Sequence, residues 1–278
     1  MGIIDHPVWL FALLFVVLLV VVEIGFRLGL RTSASGDEKL HDQIVGARDG
    51  IVVLLSLLLG FMLPMSLTRF DKRRHLVIEE AKAIGTTSLR AQMLPEPARS
   101  RTHELMRAYV EARLMFLKAG LHAETLQAAN SRSKKLQDEL WQQSVAAAQL
   151  SPTPITALFA QSLNQMIDLS EERLAALENR IPSAIWLMLT LISLLTCLTV
   201  GYSLRRRFVL SMLVTPLMIS IVMVLVADLD SPRSGLIRVA QQSLERLQSD
   251  FEAVPLVSDR SRPQPRPPVN ASRVESCK

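Results

Sequence analysis

Long apolar blocks alternate along the chain with long amphipathic stretches. Four blocks, Val8 to Phe26, Ile51 to Leu67, Pro182 to Tyr202 and Phe208 to Val226, are nearly free of charge. At about 1.5 Å of rise per residue, each spans roughly the 30 Å hydrocarbon core of a bilayer as a helix. The polar stretch Arg27 to Gly50 joins the first two blocks, whereas only Ser203 to Arg207 separates the last two, a link so short that it forces an antiparallel helical hairpin. Between the hairpins the periodicity is helical throughout. Leu76, Ala83 and Ile84 continue the second block outward until Pro95 and Pro97 interrupt it. Leu105, Met106, Tyr109, Val110, Leu114 and Leu117 form the next stripe, closed by Gly120 as a C′ glycine. Leu126, Leu136, Leu140 and Val145 mark a helix ending before Ser151. A last stripe, including Ile155, Phe159, Leu163, Met166, Leu174 and Leu177, follows Pro154 and runs through Ile181 into the third block with Pro182 as the joint. After the fourth block, Leu236, Ile237, Ala240, Leu244, Leu247 and Phe251 predict one more amphipathic helix, with Pro232 where a helix N-terminus tolerates it. From Pro255 onward, prolines, serines and arginines without an apolar run predict disorder.

This pattern predicts an all-α polytopic membrane protein with four transmembrane helices and a helical extramembrane domain. A first transmembrane hairpin occupies 1–68, the helical domain 69–181, a second hairpin 182–227, an amphipathic C-terminal helix 228–254 and a disordered tail 255–278. The second and third membrane helices should leave the bilayer as long rods that bracket the helical domain. Composition agrees, since a chain of 278 residues with 49% apolar and 21% charged residues is too apolar for a soluble domain of this size. Few aromatics and no alternating ten-residue strands argue against a β-barrel. The first block lacks a basic n-region and is long for an h-region, so it reads as a retained span. Trp9, Trp186 and Tyr202 stand near block ends, where aromatic belts lie. A net charge of +5 suits a protein lying against anionic lipid, and the basic patch with interleaved aromatics that nucleic acid would need is not present. The charge rule leaves the direction of insertion nearly tied: nine Lys and Arg near the spans on the side of the helical domain face seven on the other. Arg27 and Arg31, following the first helix, favour the opposite orientation.

Catalytic chemistry finds little support in the sequence. His6, His41, His75, His103 and His122 are scattered singly, and there is no His-Glu-x-x-His, Gly-x-Ser-x-Gly or phosphate-cradling glycine loop. Cys197 and Cys277 are too few for a multi-cysteine zinc site, and no cofactor or metal is expected. Glu79 and Glu80 point about 100° apart on a helix, so at least one is expected to face Arg73, Lys82 or solvent. Glu23 is the acid inside an apolar block, and two readings stand: an interfacial i, i+4 pair with Arg27, or a pore or proton role. Asp228 and Asp230, beyond the fourth block, either cap the following helix or ligate a cation. Ser56, Gly60, Pro64 and Ser66 give the second block a small, polar-flecked side. That side serves either close helix packing or a pore whose bulky residues at i, i+4 and i+8 form a constriction.

The run Leu59, Gly60, Phe61, followed eight residues later by Arg69 and Phe70, resembles the second transmembrane helix of bestrophin anion channels. Over nearly its whole length the chain is similar to the bacterial bestrophin-like family, in residues 59–74, 79–86, 94–101, 164–168, 173–182 and 228–237. The resemblance implies a homo-oligomer in the cell inner membrane, a ring of about five copies around one axis, conducting small anions. It implies a neck of Val53, Leu57 and Phe61, with Gly60, Arg69 and Phe70 as the supporting motif, and a cytoplasmic helical domain with both termini on that side. Two neck side chains are smaller than the usual aromatic, the tandem tryptophans after the Arg are absent, and the acidic calcium clasp is reduced to Asp228 and Asp230. The alternative is a non-conducting membrane scaffold or sensor whose helical domain binds a partner protein.

Overall fold

A computed structural model describes residues 7–34, 38–118, 123–231 and 242–253, and among them every regular element is a helix. In chain order these are α1 (Pro7–Ala34), α2 (Glu38–Ala91), α3 (Ala98–Lys118), α4 (Ala123–Leu150), α5 (Pro154–Glu178), α6 (Ser183–Ser203), α7 (Val209–Asp230) and α8 (Gln242–Ala253). The expectations for His6, Gly120, His122, Pro232, Leu236, Ile237, Ala240, Cys277 and the tail lie outside the described residues. Among the described residues, four helical stretches are long and apolar enough to cross a membrane.

Helix α2 dominates the architecture. Its 54 residues make a rod of roughly 80 Å, more than twice a bilayer core, so it overshoots the apolar block at both ends. The outward continuation follows the apolar stripe through Leu76 and Ile84. The other end departs from the simple picture of a polar link, because α1 runs on to Ala34 and α2 already begins at Glu38. Packing explains the added turns: His41, 6% exposed, stacks on Tyr202 at 5.6 Å between centroids, and Arg48 Nη1 donates to Ser203 Oγ at 2.9 Å. Tyr202 is therefore buried against α2 instead of standing in a lipid-facing aromatic belt.

The second rod is jointed. Helix α5 starts at a reciprocal capping box, Thr153 with Thr156, with Pro154 in its first turn, and ends at Asn179. Pro182, which lacks an N–H and restrains the residue before it, then opens α6.

Two cores result, and α2 belongs to both. In the membrane bundle Leu18 and Val22 of α1, Leu55 and Met62 of α2, Leu189 and Cys197 of α6 and Ile219, Met223 and Val226 of α7 pack together. In the helical domain Ile84, Met106, Tyr109, Leu140, Phe159, Leu163 and Met166 form the centre, and α8 covers it with Leu244 and Phe251. Burial from water drives the second core, at about 1.5–3 kcal/mol for each large apolar side chain. Lipid is as apolar as leucine, so the first core depends on close approach instead. Gly25 and Gly29 of α1 and Gly201 of α6 provide it: a methyl at Gly25 would overlap the Leu198 carbonyl, one at Gly29 the Tyr202 carbonyl, and one at Gly201 the Val22 carbonyl.

Candidate functional site

Within the bilayer-length stretch of α2 the two faces differ. Leu55, Met62 and Ser66 are buried against the bundle. On the opposite side Val53, Leu57 and Phe61 are 68%, 54% and 67% exposed, and nothing lies within 4 Å of where a side chain at Gly60 would begin. Pro64 shares that open face and sits inside the helix. Lacking an N–H, it cannot donate to the Gly60 carbonyl one turn earlier, and that carbonyl is left without its helical bond. The neighbouring hydroxyls are satisfied locally, Ser56 Oγ donating to the Val52 carbonyl at 2.8 Å and Thr68 Oγ1 to the Pro64 carbonyl at 2.9 Å. The polar character of the face is therefore concentrated beside Phe61.

Below this stretch α2 meets the end of α7 and the joint between α5 and α6. Arg69, the basic residue of the supporting motif, donates to the Asn179 carbonyl at 3.4 Å and lies 3.9 Å from Asp230, while Phe70 is half-buried. Asp228 and Asp230 both fall in the last turn of α7 and are buried. A carboxylate there opposes the helix dipole. For Asp230 the opposition is offset by Arg69 and by the Ile181 amide, which donates to both of its carboxylate oxygens at 3.2 Å. Arg73 donates to the Leu229 carbonyl, one of the orphan acceptors of the helix end. The described part of α8 begins at Gln242, so a cap between Asp230 and the helix after it lies outside the described residues. No group of three or more His, Cys, Asp or Glu is placed to hold a metal among the described residues.

At the other end of the bundle Glu23 accepts from Arg27 Nε at 2.8 Å and from Arg207 Nη2 at 2.7 Å, and the Arg207 guanidinium also lies over the Phe26 ring. The acid is thus tied to the loop between α6 and α7. Val53, Leu57 and Phe61 share one face with Gly60, Asp230 is joined to Arg69, and Glu23 stands apart from both groups.

Sequence reasoning missed a third constellation, in the helical domain. Glu79 does face outward, with Lys82 at 2.9 Å. Glu80 does not: it is fully buried, accepts from Arg113 Nε at 2.5 Å and from Arg173, and both arginines are buried with it. Around them Gln137 donates to the Tyr109 hydroxyl at 3.2 Å and to Ser170 Oγ at 2.7 Å. Burial alone would push the Glu80 carboxyl up, but Arg113 and Arg173 together outweigh it and hold it below the ordinary carboxylate range. The available signal was that each charge interrupts an apolar stripe: Glu80 lies between Val77 and Ile84, Arg113 between Tyr109 and Phe116, and Arg173 between Leu169 and Leu177.

A bacterial bestrophin homologue from Klebsiella pneumoniae has a similar fold. One crystal structure of a mutant form superposes with a TM-score of 0.62 at 14% identity, covering 85% of this chain and 97% of that one. A second mutant form gives 0.61 at 16% identity, covering 88% and 99%. A further structure of the homologue gives 0.61 at 14% identity, with 87% and 95% covered. At such identities the likeness shows the fold alone. No curated protein matches the chain in sequence. The family model described as a bestrophin-like domain matches residues 11–244, from the first membrane helix into the helix that closes the core of the helical domain, and the chain belongs to that family.

Proposed function

We propose that the chain is one subunit of a bestrophin-like ion pathway, a homo-oligomer of about five copies with the open face of α2 turned toward the common axis. Val53, Leu57 and Phe61 form the neck, and small anions are the permeant species, in keeping with the net charge of +5. The observation that carries the reading is the composition of one face: three large exposed apolar side chains at i, i+4 and i+8 beside a carbonyl freed by Pro64, all within the bilayer-length stretch. Hydrocarbon tolerates a free carbonyl poorly, whereas a water-lined axis or a neighbouring subunit accommodates it. Stacked apolar rings hold back ions, because hydrated charge cannot shed its water there without a large cost. Phe61, the bulkiest of the three, sets the narrowest point. Transport rather than catalysis is the chemistry this arrangement serves, in the inner membrane with the helical domain and both termini in the cytoplasm.

The test is ion flux into liposomes carrying the parent or Phe61→Ala. A neck predicts higher flux in the variant, with the oligomer intact. If Phe61 instead packs between subunits away from any pore, truncation costs about 3–5 kcal/mol and leaves flux at background. Parent and variant both at the level of empty liposomes, in properly assembled oligomers, would replace the channel with a non-conducting scaffold or sensor whose helical domain binds a partner.

A further inference from the structure

Arg73 is a buried cation with more donors than partners. It lies on the packed side of α2, on the stripe of Leu55, Met62 and Ser66, and is 3% exposed. Its Nη2 donates to the Leu229 carbonyl at the end of α7. Its Nε and Nη1 are buried too, and meet no acceptor among the described residues. The carboxylate that acts on it, Asp230, is engaged by the Ile181 amide, 3.2 Å from each oxygen, and lies 3.9 Å from Arg69. Arg69 and Arg180 add two like charges at the same place. Burial pushes Arg73 down from the usual arginine range, Asp230 works against that, and Arg69 and Arg180 push the same way as burial.

A buried charged donor without an acceptor is among the costliest features a fold can carry. Water could accept from Nε and Nη1 but would leave Asp230 as the one carboxylate among the described groups that act on Arg73, against the like charges of Arg69 and Arg180. An anion answers both demands, because it accepts hydrogen bonds and neutralises the excess charge. We propose that Arg73 holds a small anion at the junction of α2, the α5–α6 joint and the end of α7, either a free inorganic anion or the phosphate of a lipid headgroup. The site stands on the face of α2 opposite Val53, Leu57 and Phe61, so it does not depend on the neck. Bound there, the anion ties together the three helix ends at which the membrane bundle meets the helical domain.

The experiment reads the melting temperature of full-length, delipidated protein in detergent as chloride or phosphate replaces gluconate at constant ionic strength. At about ten times the dissociation constant the parent should rise by about 3 °C. Arg74→Gln, an exposed neighbour, should respond like the parent, and Arg73→Gln should not respond. If the inorganic anions are inert but phosphatidylglycerol raises the parent over phosphatidylcholine, again only with Arg73 present, the phosphate belongs to lipid. Should Arg73→Gln fail to fold, Arg73→Lys decides: it keeps the charge but loses the planar fork, and should shift the midpoint of the response about tenfold or more. A parent indifferent to both anions and to anionic lipid, a response that survives in Arg73→Gln, or an unchanged midpoint in Arg73→Lys would overturn the site.

Discussion

Glu80 shows what a single residue does to the helical domain. Withdrawing a carboxylate and two guanidiniums from water costs several kcal/mol per ion, and apolar side chains of similar volume would often hold a core as well. Once the charges are inside, removing one leaves the others uncompensated. Glu80→Gln should therefore cost about 3–5 kcal/mol, read as a lower melting temperature in detergent. Arg113 and Arg173 remain protonated throughout the accessible pH range, so the network titrates at the carboxylate. Its folded pKa lies below the unfolded value. The stabilisation is then fully present above about pH 4.3 and is lost as pH falls through the lower, folded value. For this group the melting temperature should be flat from neutral pH to the unfolded carboxylate range and should fall in stronger acid, and Glu80→Gln should lack its share of that acid limb. A variant melting with the parent at neutral pH, with the same acid limb, would show that the network contributes nothing.

At the level of elements, the crossing of α1 and α6 is set by glycines rather than by apolar bulk. Gly201→Ala places a methyl against the Val22 carbonyl, and backbone cannot rotate aside as a side chain does. The helices must separate, at a cost of about 1–3 kcal/mol. Gly46→Ala meets nothing within 4 Å and should be neutral or stabilising by up to about 1 kcal/mol. Melting temperatures of the two variants side by side check this, and an equal effect at both positions would refute close packing at the crossing. Much of the element pattern is legible in sequence because its causes are local. Bilayer thickness dictates the length of the apolar blocks, and Pro95 and Pro182 mark boundaries. The candidate neck of Val53, Leu57 and Phe61 comes instead from the resemblance carried by Gly60, Phe61 and Arg69, and periodicity adds only that the three share one helix face. What stays hidden is non-local. Glu80 meets Arg113 and Arg173 from 33 and 93 positions away, and Ile181 meets Asp230 across 49. No window centred on any of these residues contains its partner. The burial of Tyr202 under His41 is hidden likewise, since it depends on α2 beginning thirteen residues before its apolar block.

For the whole molecule the unresolved choice in sequence is direction, and the fold shows why counting charges decides so little. Each end of the membrane bundle carries its own basic cluster. Arg27, Arg48 and Arg207 gather with Glu23 and Ser203 near the α6–α7 loop, and Arg69, Arg73 and Arg180 gather with Asp230 where α2 enters the helical domain. Arg48, Arg69 and Arg73 bond to groups at helix ends, and Arg27 and Arg207 pair with Glu23, so these arginines have local partners whichever side they face. The proposed orientation, with the helical domain in the cytoplasm, therefore needs a test that does not count charges. Cysteine labelling tests this directly. Cys197 is fully buried, so replacing Cys277 by Ser leaves a background without an accessible described thiol. Into it are introduced Ser131→Cys, exposed on α4, or Arg206→Cys, exposed in the α6–α7 loop. A membrane-impermeant maleimide should modify Arg206→Cys in spheroplasts and Ser131→Cys only in inverted vesicles. The opposite pattern would put the helical domain outside the cytoplasm, and the arginines after α1 would then be the ones that set the topology.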